Sequence, residues 1–222
     1  MKQNIVYSNT EATIQLPHYK YVDRVLASNS FEELWWRFKD AESPTKEISE
    51  SFAALVNLKK VCIIDNSDWL HIGDGAYTRT AAMFAFFSKS FNFSIDPQLN
   101  TDKFLYWKQK YSVKNIWVFK SKFENILNVT IKESQPLIDL NTFDRKPYSI
   151  CCVHAHINLE KVDQQFPEWR YLYSNICCLK NYQTFSDKYM RENDIVKIAE
   201  GIDLGILSHQ REFVIYKKLV GK

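Results

Sequence analysis

From residue 61 onward, short apolar runs alternate with helical or loop stretches, at 67–72, 91–95, 115–119, 148–154, 170–178, near 202–207 and at 212–219. Runs of that length, separated by room for crossover helices, predict an α/β sheet of mainly parallel strands. Only Ser208-His209-Gln210-Arg211 joins the last two runs. A parallel crossover needs a dozen or more residues, so these two predict an antiparallel hairpin. Ahead of the strands, Phe31, Leu34, Trp35 and Phe38 recur at helical spacing behind a Ser30/Glu33 capping box. Ser43-Pro44 starts a second helix, with proline at its first position and Ile48, Phe52, Leu55 and Val56 on one face. Residues 1–60 therefore read as a helical N-terminal extension, and residues 61–222 as one α/β domain.

Gly73 and Gly75 are the only glycines before residue 200, and they directly follow the first apolar run, in Trp69-Leu70-His71-Ile72-Gly73-Asp74-Gly75-Ala76-Tyr77-Thr78-Arg79. A glycine lacks the Cβ that keeps backbone from a ligand and it permits positive φ, so the pair predicts a strand ending in a ligand-hugging turn. Ala81 to Phe87 is a helix-length apolar stretch, and Phe91 to Ile95 reads as a second strand ending in Asp96. Asp96 lies 23 residues after Gly73. That is close to the roughly 20 expected when a carboxylate at the tip of a second strand takes the ribose hydroxyls of an adenosine-type cofactor.

Composition narrows the partners. The chain has 222 residues, 45% hydrophobic and 15% aromatic, which suits one globular domain with a substantial core. A net charge of +3, from 29 basic and 26 acidic residues, is too small to call for nucleic acid or a membrane. The first residues carry no apolar leader and no later segment is long and uncharged enough to span a bilayer, so a soluble cytoplasmic protein is expected. The five cysteines, at 62, 151, 152, 177 and 178, read as small buried hydrophobes rather than disulfide partners.

The alternation of six strands with helices, closed by a seventh in a terminal hairpin, resembles the class I S-adenosylmethionine-dependent methyltransferases over about residues 60–220. That resemblance implies a three-layer Rossmann-like sandwich with a mostly parallel seven-stranded sheet, and S-adenosylmethionine as the cofactor and small-molecule methyl donor. Ile72-Gly73-Asp74-Gly75 matches the family's first-strand motif, Asp96 its second-strand acid, and Glu124, after the 115–119 strand, its adenine-side residue. By resemblance, the glycine backbone approaches the methionine part and Asp96 the ribose hydroxyls. His71 stands where the family often has an acid, and Tyr77 or Thr78 where a third glycine would be. The missing third glycine also counts against a dinucleotide dehydrogenase, whose helix must pack closely under a pyrophosphate. Asp74 and Arg79 complete the candidate cofactor set. A cation in the first helical turn opposes the helix dipole, so a partner is expected for Arg79.

Acceptor chemistry in such sheets lies beyond the carboxyl ends of the strands. The fourth strand leaves through Cys151-Cys152-Val153-His154-Ala155-His156-Ile157-Asn158, without the Asn/Asp-Pro-Pro-aromatic motif of many amino-methylating enzymes. His154 and His156 share a face if the strand continues through them, and either suits a general base at neutral pH. These histidines with Cys152 supply ligands of the right chemistry for a metal, but vicinal cysteines lack the Cys-x-x-Cys grip, and no metal is expected. Lys180, Glu212 and Lys59 or Lys60 match parts of the Lys-Asp-Lys-Glu tetrad of ribose methyltransferases, but histidines occupy the place of its aspartate. Nothing in the pattern selects RNA, protein or a metabolite as the acceptor, or fixes the oligomeric state. The competing reading is a catalytically inactive methyltransferase-like module that binds a partner, and a nicotinamide-linked oxidoreductase stands third.

Overall fold

The computed structural model describes residues 4–7, 12–15, 19–128, 148–153, 155–176 and 183–219. A short antiparallel ribbon pairs β1 (Asn4–Tyr7) with β2 (Ala12–Gln15). Three helices follow: α1 (Lys20–Leu26), α2 (Phe31–Phe38) and α3 (Pro44–Lys59). The α/β part then runs β3 (Asp68–Ile72), α4 (Arg79–Phe87), β4 (Asn92–Ile95), α5 (Thr101–Lys110), β5 (Ile116–Phe119) and a 3₁₀ segment, Phe123–Asn128. It closes with β6 (Tyr148–Cys152), α6 (Leu159–Gln165), β7 (Tyr171–Asn175), α7 (Asp187–Glu192), β8 (Ile195–Ile202) and β9 (Glu212–Lys218).

Strands β3 to β9 form one seven-stranded sheet in the order β5-β4-β3-β6-β7-β9-β8. The pairs β4–β5, β3–β4, β3–β6 and β6–β7 are parallel, and β9 inserts antiparallel between β7 and β8. This is the mostly parallel sheet with a terminal antiparallel hairpin that the alternation predicted. The order reverses between β3 and β6, so the loops leaving these two strands part in opposite directions and frame a crevice at their carboxyl ends.

Side-chain alternation sends β-residues to two cores. On one face Trp69, Cys151, Tyr173 and Ile215 pack with Leu34, Phe38, Phe52, Leu55 and the α4 residues Ala81 to Phe84. On the other, Leu70, Ile72, Ile150, Cys152 and Leu172 pack with Leu159, Val162 and Trp169. The first core runs without a break from Tyr21 across residue 60 to Ile215, so α1–α3 are a layer on the sheet. Among the described residues, no helix is long and apolar enough to cross a membrane.

Three local expectations change. Ser30 makes no side-chain cap, since its backbone sits at φ −100°, ψ 15°, and the capping box is not formed. The sixth strand is Ile195–Ile202 and not 202–207, because a bulge between Lys197 and Ala199 breaks the alternation that marks a strand. The apolar residues at 204–207 belong instead to the loop that turns back onto α1, where Gly205 lies so close to Tyr21 that an added Cβ would stand 2.4 Å from its ring. Strand β6 ends at Cys152, so the face shared by His154 and His156 is not set by strand pleating.

Candidate ligand site at the carboxyl edge of the sheet

The turn from β3 to α4 has an inner and an outer half. Both glycines sit at φ +72°, a conformation side chains rarely adopt. Their surroundings differ. A Cβ on Gly73 would lie 2.7 Å from the Cβ of Ala155, in the loop leaving β6. Ala155 cannot easily retreat, because its carbonyl accepts a 2.6 Å hydrogen bond from the buried Gln183 side chain. Around Gly75, by contrast, a Cβ would meet nothing within 4 Å. Gly73 is a glycine for packing, and Gly75 faces open space.

Asp74 turns inward. Its Oδ1 accepts from the Thr80 N–H at 2.7 Å, and its Oδ2 from the Ala81 N–H at 3.1 Å and the Ser94 hydroxyl at 3.0 Å. The residue keeps some surface at the turn, but its carboxyl reaches down to cap the first turn of α4. Desolvation pushes that carboxyl up to about 6, against the pull of the Ala81 and Thr80 N–H groups and the Ser94 hydroxyl. The end of α4 that would hold a phosphate in a dinucleotide binder is thus already filled by a carboxylate from the chain itself.

Arg37, on α2, locks the turn from beneath. It is 2% exposed; its Nε donates to the Tyr77 carbonyl at 2.6 Å and its Nη2 to the Thr78 hydroxyl at 2.8 Å. Thr78 is itself held at φ +52°. Burial lowers the Arg37 guanidinium to about 10, with the Asp74 carboxylate opposing that shift. Sequence reading missed Arg37. The signal was its place at helical spacing beside Leu34 and Phe38, where a cation on an apolar stripe must have a partner below it.

Asp96 sits at the tip of β4 and borders the outer half. Its Oδ2 accepts from the Gly75 N–H at 2.9 Å and its Oδ1 from the Gln98 N–H at 2.7 Å. Each carboxylate oxygen has two lone pairs, so capacity remains for two hydroxyl donors. The Ala76 carbonyl accepts from the Asn100 N–H at 3.0 Å, which ties the same turn to the start of α5. Gly75 and Asp96 are therefore brought together as the spacing required.

The other candidates lie elsewhere. His71 has no exposed surface; one ring nitrogen bonds Asn92 at 3.0 Å, the ring meets Phe84 edge-on at 4.8 Å, and burial lowers its pKa to about 4. It is a neutral core histidine and does not reach a ligand. Arg79 has the partner its position called for, a salt bridge to Glu47 of α3 at 3.4 Å, and its Nε also donates to the Arg37 carbonyl. Glu124 is exposed in the 3₁₀ segment after β5. His156 is exposed in the loop between β6 and α6, just before Asn158 caps that helix through the Glu160 and Lys161 N–H groups. His154, Lys180, Cys177 and Cys178 lie outside the described residues.

Among the described residues, the tetrad fragment does not assemble. Lys59 donates to the Phe87 carbonyl at the far end of α4, on the amino edge of the parallel strands. Glu212 pairs by its carbonyl with Ile176, on the carboxyl edge. Cys151 and Cys152 are free and buried, one in each core, and burial raises both thiols. Among the described residues, no group of three or more metal-ligating side chains occurs.

No family model matches the chain, and no curated protein matches it in sequence. Solved structures do match its fold. A point mutant of MtNAS in complex with S-adenosylmethionine superposes with a TM-score of 0.53 at 11% identity, over 90% of this chain and 70% of that one. Magnesium protoporphyrin IX methyltransferase from Synechocystis PCC 6803 with bound SAM gives a TM-score of 0.52 at 11% identity, over 90% of this chain and 97% of that one. The same enzyme with bound SAH gives 0.52 at 10% identity, over 90% and 99%.

Proposed function

We propose that this chain, which has the fold of the class I S-adenosylmethionine-dependent methyltransferases, binds S-adenosylmethionine across the outer half of the β3–α4 turn and transfers its methyl group to an acceptor. The observation that carries the reading is the pairing of Gly75 and Asp96 beside a helix end already capped by Asp74. A carboxylate with spare acceptor capacity suits a ribose diol, and a glycine facing open space lets backbone and ligand approach. A carboxylate at the α4 N-terminus opposes a pyrophosphate by charge, which ranks an adenosine thioether above a dinucleotide.

When bound, the cofactor supplies a methyl group already activated on a sulfonium. The protein's part is placement and proton removal. Arg37 and Asp74 hold the turn rigid, so Gly75 and Asp96 are presented in one geometry. Of the two histidines leaving β6, His156 is exposed beside this edge and is assigned, with His154, as the base that takes the acceptor's proton.

Calorimetric titration with S-adenosylhomocysteine, with NAD as the phosphate-bearing control, tests the reading. Micromolar affinity for the thioether and none for NAD is the expected result. NAD binding alone would assign the turn to a dinucleotide, and binding of neither would favour a partner-binding module that kept the fold and lost the chemistry.

A further inference from the structure

Strand β8 is the longest in the sheet and lies at its edge, and among the described residues no strand pairs with its outer side. Seven of its eight residues are not buried, and Val196, Ile198 and Ile202 are 36%, 37% and 67% exposed. An edge of that length with apolar side chains is a template for another strand.

The bulge decides which strand fits. Opposite residues of an antiparallel pair point to one face, so pairing with β9 sorts the β8 side chains. Ile195, Lys197, Glu200 and Ile202 stand opposite Lys218, Tyr216, Val214 and Glu212, all on one face. Three positions apart in a strand without the bulge, Lys197 and Glu200 would point to opposite faces. With it, their side chains meet at 2.8 Å. That face of β8 therefore reads apolar, basic, acidic, apolar, a sequence that matches itself when reversed.

We propose that β8 is a self-pairing edge, and that a second copy of this chain docks on it antiparallel about a two-fold axis through the bulge. A closed two-fold interface must be self-complementary, and this one is. Lys197 of each protomer stands opposite Glu200 of the other, while Ile195 and Ile202 stand opposite each other at both ends. The two sheets then continue as one of fourteen strands. The Lys197 and Glu200 side chains are 41% and 63% exposed in the single chain, so both are free to exchange their intrachain pairing for the interchain one.

Charge reversal on the full chain, read by sedimentation equilibrium, tests the register. Wild type is expected to dimerise. Lys197→Glu alone sets like charges opposite each other twice, and so does Glu200→Lys alone; each is expected to weaken the dimer about tenfold or more. The double variant Lys197→Glu/Glu200→Lys restores both pairs and is expected to regain wild-type association. Unchanged far-ultraviolet circular dichroism confirms that the exposed substitutions leave the fold intact. A monomeric wild type, single variants that associate as well as wild type, or a double variant no better than the singles would each overturn the proposal.

Discussion

Gly73 and Gly75 share a turn, a φ of +72° and a sequence motif, yet they answer to different constraints. The inner half of the turn, Gly73 with Asp74, is bound to the rest of the protein: Ala155 leaves no room for a Cβ, and the Asp74 carboxyl is committed to α4 and Ser94. The outer half, Gly75 with Asp96, has open space and unsaturated acceptors. A two-glycine motif therefore does not report one function twice. One glycine lets two loops touch at the switch point of the sheet, and the other leaves the turn open on its outer side.

The sharpest way to break that comparison is Gly73→Ala. The added Cβ meets Ala155 and the positive φ is strained, so a loss of about 3 kcal/mol is expected in urea denaturation. A larger residue at 73 is not a clean binding probe, since it would damage the fold first. Arg37→Met tests the lock under the turn. It removes the buried donor to the Thr78 hydroxyl and leaves the Tyr77 carbonyl only the Thr78 hydroxyl as partner, and about 2–3 kcal/mol of stability should be lost by the same measurement.

Two buried groups beneath the turn give opposite pH dependences. Asp74 has a folded pKa of about 6, raised above the unfolded value of about 3.9, so its neutral form favours the fold. That contribution is complete below about pH 4 and is lost as pH rises through 6. His71 has a folded pKa of about 4, depressed below the unfolded value of about 6.5. Its contribution is complete above about pH 6.5 and is lost as pH falls through 4. Each amounts to roughly 3 kcal/mol at full excursion, and the two offset each other between those limits. Thermal midpoints measured from pH 4 to 7 should separate them: Asp74→Asn should make acidification more damaging than in wild type, and His71→Gln less.

The outer half should respond in binding rather than stability. Asp96→Asn replaces one acceptor oxygen with a donor, and affinity for S-adenosylhomocysteine should fall about tenfold to a hundredfold by calorimetry. Gly75→Val carries the strain of a positive φ, about 1–2 kcal/mol, while its Cβ meets nothing within 4 Å.

Much of this architecture was legible because strands buried on both faces read as apolar runs. Six such runs, with a seventh misplaced but set close before the last, were enough to predict a mostly parallel sheet and its terminal hairpin. The pairing of Asp96 with the glycine turn was legible from spacing alone. What did not show was set by contacts distant in sequence. Gly73 answers to Ala155 and Arg37 to Tyr77, and no local pattern joins them. Strand β8 was misplaced because its bulge interrupts the alternation, and the same bulge brings Lys197 and Glu200 onto one face. His71 occupied an acid's position in the motif, but Phe84 and Asn92 enclose it as core.

The most direct measurement is the affinity of folded Gly75→Val for S-adenosylhomocysteine, set beside wild type and with urea denaturation in parallel. The account predicts a folded protein less stable by only about 1–2 kcal/mol and lost binding, because the valine side chain enters the space the proposal gives to the ligand. Wild-type affinity in a folded Gly75→Val protein would contradict it and move the ligand away from the outer half of the turn.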